Sequence, residues 1–181
     1  EIICVDDGSS DGSFAILQRR HEADPEHLRV IRFRRNFGKT AALSLGFKRA
    51  RGDVVVTMDS DLQDDPHELP KLLSKLSEGY DLVSAWRERR QDPASKTLPS
   101  RFYNRVVSTL TGIKLHDFNC GFKAYRVQVV RELKLYGDLH RFIPVLAHWQ
   151  GFRVAEVPVT HRPRRFGQSK YGWRRFLAGF F

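Results

Sequence analysis

Val54-Val55-Val56-Thr57-Met58-Asp59-Ser60-Asp61 is a run of apolar, mostly β-branched residues that stops on two carboxylates one residue apart. Its first part reads, with Asp53, as a strand over Asp53–Met58, because Val and Thr suit a pleated sheet and no polar residue alternates with them. The same figure occurs twice more. Ile2-Ile3-Cys4-Val5 runs into Asp6-Asp7-Gly8-Ser9-Ser10-Asp11-Gly12, a segment made of turn formers, and Tyr80–Trp86 runs into Arg87. Continuous apolar strands expect cover on both faces, which is the condition of a mostly parallel sheet.

Between these strands lie stretches of helical spacing: Ser13–Glu22 with Phe14, Ile16 and Leu17, Thr40–Ala50, and Pro66–Ser77 with a proline suited to its first turn. Leu28–Phe33 is a further strand. The expected fold is therefore α/β, a Rossmann-like, mostly parallel sheet flanked by helices, in a single domain spanning 1–181. Sheets of this kind bind ligands beyond the carboxyl ends of their strands, so Asp6-Asp7, Asp59-Ser60-Asp61 and Arg87 are expected to face one crevice. Beyond Arg87, Pro99–Thr111 has the spacing of an amphipathic helix that mixes aromatics with arginines. Gly121–Tyr125 and Val154–Val159 are short strands, Leu139–Trp149 is a helix, and Pro163–Gly172 is a basic, glycine-punctuated loop.

The chain has 181 residues and a net charge of +10, which favours polyanionic partners: phosphorylated substrates, anionic lipid or nucleic acid. The basic residues cluster, as in Arg162, Arg164 and Arg165 and in Lys170, Arg174 and Arg175. No apolar run reaches the ~18 residues of a membrane-spanning helix. Both ends are expected to be cut, since one opens inside a strand and the other stops on Phe176-Leu177-Ala178-Gly179-Phe180-Phe181. The two cysteines, Cys4 and Cys120, form no disulfide framework; Cys4, in an apolar run, is expected to be buried, and a reducing, cytosolic setting is the default.

Asp-x-Asp alone is most often a solvated turn. At a strand end, with Gln63-Asp64-Asp65-Pro66 behind it, it can hold a hard divalent ion, Mg²⁺ or Mn²⁺, which takes oxygen ligands and keeps phosphate oxygens in its shell. Asp7 at its strand end can bind a base or ribose hydroxyl, or serve only as a turn residue. Arg164 and Lys170 can fold over phosphates, or belong to a solvated basic segment. The helix over Pro99–Thr111 can rest on an anionic membrane surface or pack on the core. Neither a Walker A nor a G-x-G-x-x-G pattern is present, which excludes an ATPase and a dinucleotide dehydrogenase of those types. The histidines form no metal-ligand spacing. A nucleic-acid-binding basic domain answers to the charge, but carboxylates at two successive strand ends oppose phosphate contact without a metal. A nucleotidyltransferase shares the nucleotide and the metal and remains an alternative. A phosphohydrolase lacks the downstream Lys and acidic pair in the expected places.

Val5-Asp6-Asp7-Gly8-Ser9-Ser10-Asp11-Gly12, Asn36-Phe37-Gly38-Lys39, Met58-Asp59-Ser60-Asp61-Leu62-Gln63-Asp64-Asp65-Pro66, Asp117-Phe118-Asn119-Cys120-Gly121-Phe122-Lys123-Ala124-Tyr125-Arg126 and Arg164-Arg165-Phe166-Gly167-Gln168-Ser169-Lys170-Tyr171-Gly172 come in this order along nearly the whole chain. Together they resemble family 2 of the inverting glycosyltransferases, of GT-A fold, and most of all its polyprenyl-phosphate sugar synthases. The resemblance implies transfer from a UDP- or GDP-sugar to a lipid phosphate at the cytoplasmic face of a membrane, with no nucleic acid as partner. It implies that Val5 and Asp7 contact the nucleotide, that Asp59 and Ser60 lie along the nucleotide-sugar, and that Asp61 and Gln63 complete a Mg²⁺ or Mn²⁺ site. Arg87, Arg164 and Lys170 would grip phosphates. The sequence departs from the family twice: the usual opening strand is missing, and Gly121 stands where some relatives carry a carboxylate. Asp117 is then the nearest carboxylate to the acceptor, expected to orient an acceptor phosphate that is already largely ionised near pH 7.

Overall fold

The computed structural model describes residues 1–88, 104–160 and 162. β1 (Ile2–Asp6) and β2 (Leu28–Arg32) pair in parallel, with Ile2 opposite Leu28 and Asp6 opposite Arg32. α1 (Ser13–Ala23) makes the crossover and packs on both strands. Its contact face is narrow: Phe14 and Leu17 are half-buried, whereas Ile16 is 53% exposed. The Arg32 guanidinium lies 4.2 Å over the Phe14 ring and covers what the helix leaves open.

A second sheet has the order β3-β5-β4-β6, made of β3 (Val54–Thr57), β4 (Leu82–Arg87), β5 (Lys123–Arg126) and β6 (Val154–Val159). β4 and β6 are parallel, and β5 runs antiparallel to both β3 and β4, so three strands share one direction and one opposes them. The reversed strand lies between two strands whose ends carry the acidic and basic motifs, and it carries Gly121 and Asp117 on its approach to them.

Alternation along β4 and β5 divides the core between the two faces of this sheet. Leu82 and Tyr125 join Phe47, Val129, Ile143 and Ala147 on the side of α2 (Lys39–Arg49), α5 (Val127–Glu132) and α6 (Ile143–Trp149). Val83, Ala85, Phe122 and Ala124 meet Leu72 and Leu76 of α3 (Leu69–Ser77) on the other. This is the expected α/β arrangement with helices on both faces. A helix over residues 104–111, here α4, sets Val107 against Ile113, Leu115, Phe118 and Val145 and leaves Leu110 79% exposed. Residues 99–103, the expected start of that helix, lie outside the described residues.

Several details differ from the sequence expectations. Only β4 is buried as its apolar run implies; β1 and β3 are largely half-buried, with Ile2 and Val54 exposed. Cys4 is accordingly half-buried, while Cys120 is buried. The expected helices at Pro66 and Leu139 each open with a 3₁₀ turn, Pro66–Glu68 and Leu139–Phe142, because a proline follows in the first turn of the α-helix proper (Pro70 and Pro144). The short helix α5 directly after β5 was not expected from the sequence; six residues are too few to show a period. Among the described residues no helix is long and apolar enough to cross a membrane.

Candidate active site

At the end of β1, Asp6 is 5% exposed; its Oδ1 accepts the Ser9 N–H at 3.2 Å, and its Oδ2 has no hydrogen-bond partner and lies 3.6 Å from Arg32 Nε. Asp7 points the other way. Its two carboxylate oxygens accept the backbone N–H groups of Phe37 at 2.7 Å and Gly38 at 2.9 Å, the residues that open α2. A carboxylate is favoured there by the free amides and the positive end of the helix. Asn36 Nδ2 donates back to the Asp7 carbonyl at 3.3 Å. The close approach of the two loops requires Gly8: with φ +71° it occupies the left-handed region, and a Cβ there would lie 2.5 Å from the Arg35 carbonyl carbon.

This staple fixes Lys39, the first residue of α2. Lys39 Nζ donates to both oxygens of Asp59, at 2.6 and 2.8 Å, across from the end of β3. Val5 is half-buried beneath, and Ser60 is exposed. The turn that follows contains Leu62 at φ 60°, a left-handed conformation that costs an ordinary L-residue roughly 1–2 kcal/mol. That conformation separates Asp61 from Gln63, whose N–H donates back to Asp61 Oδ1 at 3.3 Å. Strained backbone of this kind gathers at functional sites.

Asp64 completes the acidic group. Burial, then the charge of Asp59 and to a lesser degree that of Asp61, push its carboxyl up to about 6, against the pull of Arg87. Three carboxylates and one guanidinium therefore sense each other across two strand ends. Arg87, the last residue of β4, is held by Asp117 through a bidentate contact, Nε–Oδ2 2.7 Å and Nη2–Oδ1 3.1 Å. Asp117 is 3% exposed and also accepts the Asn119 N–H at 3.1 Å. Burial works against the Arg87 charge, and the attraction and hydrogen bonds of Asp117 outweigh it, holding the guanidinium above its ordinary value. Beside the pair opens a cavity of about 520 Å³ whose walls include Trp86, Arg105, Lys114 and His116.

The structure thus brings Asp7, Lys39, Asp59, Asp64, Arg87 and Asp117 together at the strand ends through hydrogen bonds and, between Asp64 and Arg87, through charge, with Asp61 and Gln63 on the intervening turn. Arg162 adjoins it: its N–H donates to the Gln63 carbonyl at 2.9 Å and its guanidinium pairs with Asp65. Arg164 and Lys170 lie outside the described residues. Two participants carried no role in the sequence reading, Lys39 and Asp64. Lys39 stood inside a quoted motif, but its partner is twenty positions away on another element. Asp64 stood in an acidic run with nothing to separate it from its neighbours.

The donor set suits a hard divalent cation. Asp61, Gln63 and Asp64 offer oxygen, and burial, with the neighbouring charges of Asp59 and Asp61 adding to it, raises the Asp64 carboxyl. Among the described residues no three His, Cys, Asp or Glu side chains form a closed metal cage. A cation here would draw the rest of its shell from water and substrate oxygens, as Mg²⁺ does with one or two carboxylates and a phosphate.

Comparison with known proteins agrees with this architecture. The solved structure of glucosyl-3-phosphoglycerate synthase from Mycobacterium tuberculosis, in complex with Mn²⁺, UDP and glucosyl-3-phosphoglycerate, superposes with a TM-score of 0.70 over 93% of this chain and 62% of its own, at 21% identity; it shares the fold. Undecaprenyl-phosphate 4-deoxy-4-formamido-L-arabinose transferase of Pseudomonas aeruginosa (strain LESB58) is 40% identical over 177 residues, 98% of this chain and 52% of that protein. Dodecaprenyl-phosphate galacturonate synthase of Rhizobium johnstonii is 40% identical over 179 residues, 97% of this chain and 53% of that protein. The chain spans about half the length of these relatives. Residues 1–134 match the sequence profile of glycosyl transferase family 2, and the chain belongs to that family.

Proposed function

We propose that this chain is the catalytic part of an inverting glycosyltransferase that moves a sugar from a UDP- or GDP-sugar to a polyprenyl phosphate, with Mg²⁺ or Mn²⁺, at the cytoplasmic face of a membrane. The observation that carries the reading is the gathering of Asp59, Asp61 and Asp64 near Lys39 and Arg87, at the ends of the two strands that flank β5. Such a site balances carboxylates that attract a cation against cations that attract phosphate. The names of the relatives, both polyprenyl-phosphate sugar enzymes, support the acceptor class.

In this reading Val5, Asp7, Asp59 and Ser60 line the donor side. Asp7 acts through the loop it organises, presenting Lys39 to Asp59. Asp61 and Gln63, with Asp64, hold the cation, which when bound neutralises the leaving diphosphate. Arg87, Arg164 and Lys170 offset the repulsion between donor diphosphate and acceptor phosphate, which otherwise opposes their encounter. Asp117 positions Arg87; with both oxygens engaged by a guanidinium it is a poor proton acceptor, and an ionised phosphate nucleophile does not require one. The acceptor oxygen attacks the anomeric carbon from the face opposite the nucleotide, and the carbon–oxygen bond to the diphosphate breaks.

The test is incubation of the intact protein with UDP- and GDP-sugars, undecaprenyl phosphate and Mn²⁺ or Mg²⁺, with lipid products analysed by mass. A lipid-linked sugar that disappears with excess chelator is expected. Undiminished transfer in chelator overturns the metal assignment. A protein that binds DNA or RNA in a salt-dependent, metal-independent way and transfers no sugar overturns the enzyme reading.

A further inference from the structure

His116 sits immediately before Asp117 and is oriented from two other elements. Its ring stacks on Trp86 of β4, with centroids 4.1 Å apart and planes 17° from parallel. Its Nδ1 bonds a carboxylate oxygen of Glu156 on β6, and its backbone N–H donates to the other at 2.8 Å. A carboxylate only accepts, so Nδ1 carries the proton of that bond. Glu156 is 14% exposed, while the imidazole is 64% exposed.

An exposed side chain has no folding reason to be held this firmly, since ordering it costs conformational entropy. Nothing among the described residues bonds Nε2. The ring also belongs to the wall of the 520 Å³ cavity, which it shares with Arg87, Arg105 and Lys114. Glu156 fixes the ring and its Nδ1–H tautomer, as carboxylates do for metal-binding and catalytic histidines, and a phosphate monoester that brings a proton with it shares that proton with Nε2.

We propose that His116, fixed by Glu156 and Trp86, is a specificity-determining contact for the phosphate monoester of the acceptor, which enters the cavity beside Arg87. The inference rests on the glycosyl-transfer reading above and adds to it the residue that recognises the acceptor headgroup. Arg87 then offsets the charge of the phosphate, and His116 fixes its orientation. Asp117 and His116 divide two tasks between adjacent positions: one holds the guanidinium, the other meets the substrate.

The experiment compares wild type, His116→Ala, His116→Gln and Glu156→Gln as intact proteins. Binding of farnesyl phosphate, farnesol and inorganic phosphate is measured by calorimetry, and turnover is measured with the nucleotide-sugar that supports it. Loss of one hydrogen bond to a charged group predicts that His116→Ala weakens farnesyl phosphate by about tenfold to a hundredfold. The acceptor KM rises in step, and the donor KM stays unchanged. Gln places an amide N–H near the Nε2 position and recovers part of the loss. Glu156→Gln gives a smaller loss, and farnesol binding does not change. Equal weakening of farnesol, or a fall in kcat and donor affinity together with acceptor affinity, shows a merely structural role and overturns the proposal, as does unchanged farnesyl phosphate binding in His116→Ala. If inorganic phosphate binds as tightly as farnesyl phosphate and both depend on His116, the site is a free-phosphate site and the acceptor assignment falls. Because binding is read apart from turnover, a wild type that binds farnesyl phosphate through His116 but transfers no sugar refutes the transferase reading alone.

Discussion

Lys39 Nζ bridges both carboxylate oxygens of Asp59, and this contact joins the start of α2 to the end of β3. Both side chains are over a third exposed, so the pair itself adds at most about 1 kcal/mol to stability. Its value is geometric. Lys39→Met should therefore leave the melting temperature within a few degrees of wild type and raise the donor KM about tenfold or more, by losing a charge-assisted contact near the diphosphate. Steady-state kinetics alongside thermal melts check this; a large stability loss with an unchanged donor KM would count against it.

Asp61 carries the metal prediction. Asp61→Ala should abolish metal-dependent transfer and the Mn²⁺-induced rise in melting temperature, while the apo protein melts no lower than wild type. Relief of the Asp61 charge on Asp64 offsets the loss of the Gln63 N–H contact to Asp61 Oδ1. Retention of Mn²⁺ stabilisation in the variant would move the metal away from this turn.

Two half-buried groups give the stability opposite pH slopes. Asp64 is raised from 3.8 to about 6 by burial and the neighbouring Asp59 charge. Between these values the folded chain keeps a proton that the unfolded chain has released. Its contribution is thus complete below about 4 and is lost as pH rises through about 6. His140 is lowered from 6.5 to about 4 by burial and then by Lys39 and Arg141. Here the unfolded chain binds the extra proton, so stability falls as pH drops from 6.5 toward 4. Asp64→Asn should remove the first slope and raise stability at pH 7 by on the order of 1 kcal/mol. His140→Gln, which can keep a hydrogen bond to Thr40, should remove the second. Mn²⁺ should stabilise the wild type more at pH 7 than at pH 5, because cation and proton compete for Asp64. Melting curves across pH 4.5–7.5, with and without Mn²⁺, read all three effects.

Arg87 and Asp117 form the most deeply buried ion pair at the site. Asp117→Ala strands a buried guanidinium and should cost about 3–5 kcal/mol. Replacing both, Arg87→Met with Asp117→Leu, should recover most of the stability and none of the transfer activity. Asp117→Asn should lower the rate without removing a limb from the pH–rate profile. Disappearance of the acidic limb in Asp117→Asn would instead make it a proton acceptor.

What the sequence made legible was local. Apolar runs ending on charged residues placed Asp7, Asp59, Asp61 and Arg87 at strand ends, and the alternation of strands with helical spacing gave the α/β class. What it hid was pairing at a distance. The reversed direction of β5 depends on a register between Val54 and Arg126 that no local pattern encodes. The same holds for Lys39 with Asp59, and for His116 with Trp86 and Glu156, whose members lie 20 to 40 positions apart or come from three elements. Asp64 was hidden differently: its raised carboxyl comes from burial and then from the Asp59 charge, and neither shows in a run of acidic residues.

Gly121 has a consequence for how this site can change over generations. A Cβ at that position would lie 2.5 Å from Asp59 Oδ2 and 2.8 Å from Oδ1, in the space that the Lys39-bound carboxylate now fills. A side chain at 121 and the present Asp59 conformation are thus rival occupants of one volume. A side chain gained at 121 would push the Asp59 carboxylate aside, which its exposed end allows, and would loosen its hold on Lys39. Exchange of residue 121 between relatives is therefore expected to be felt first at a contact formed by two residues far from it in the chain.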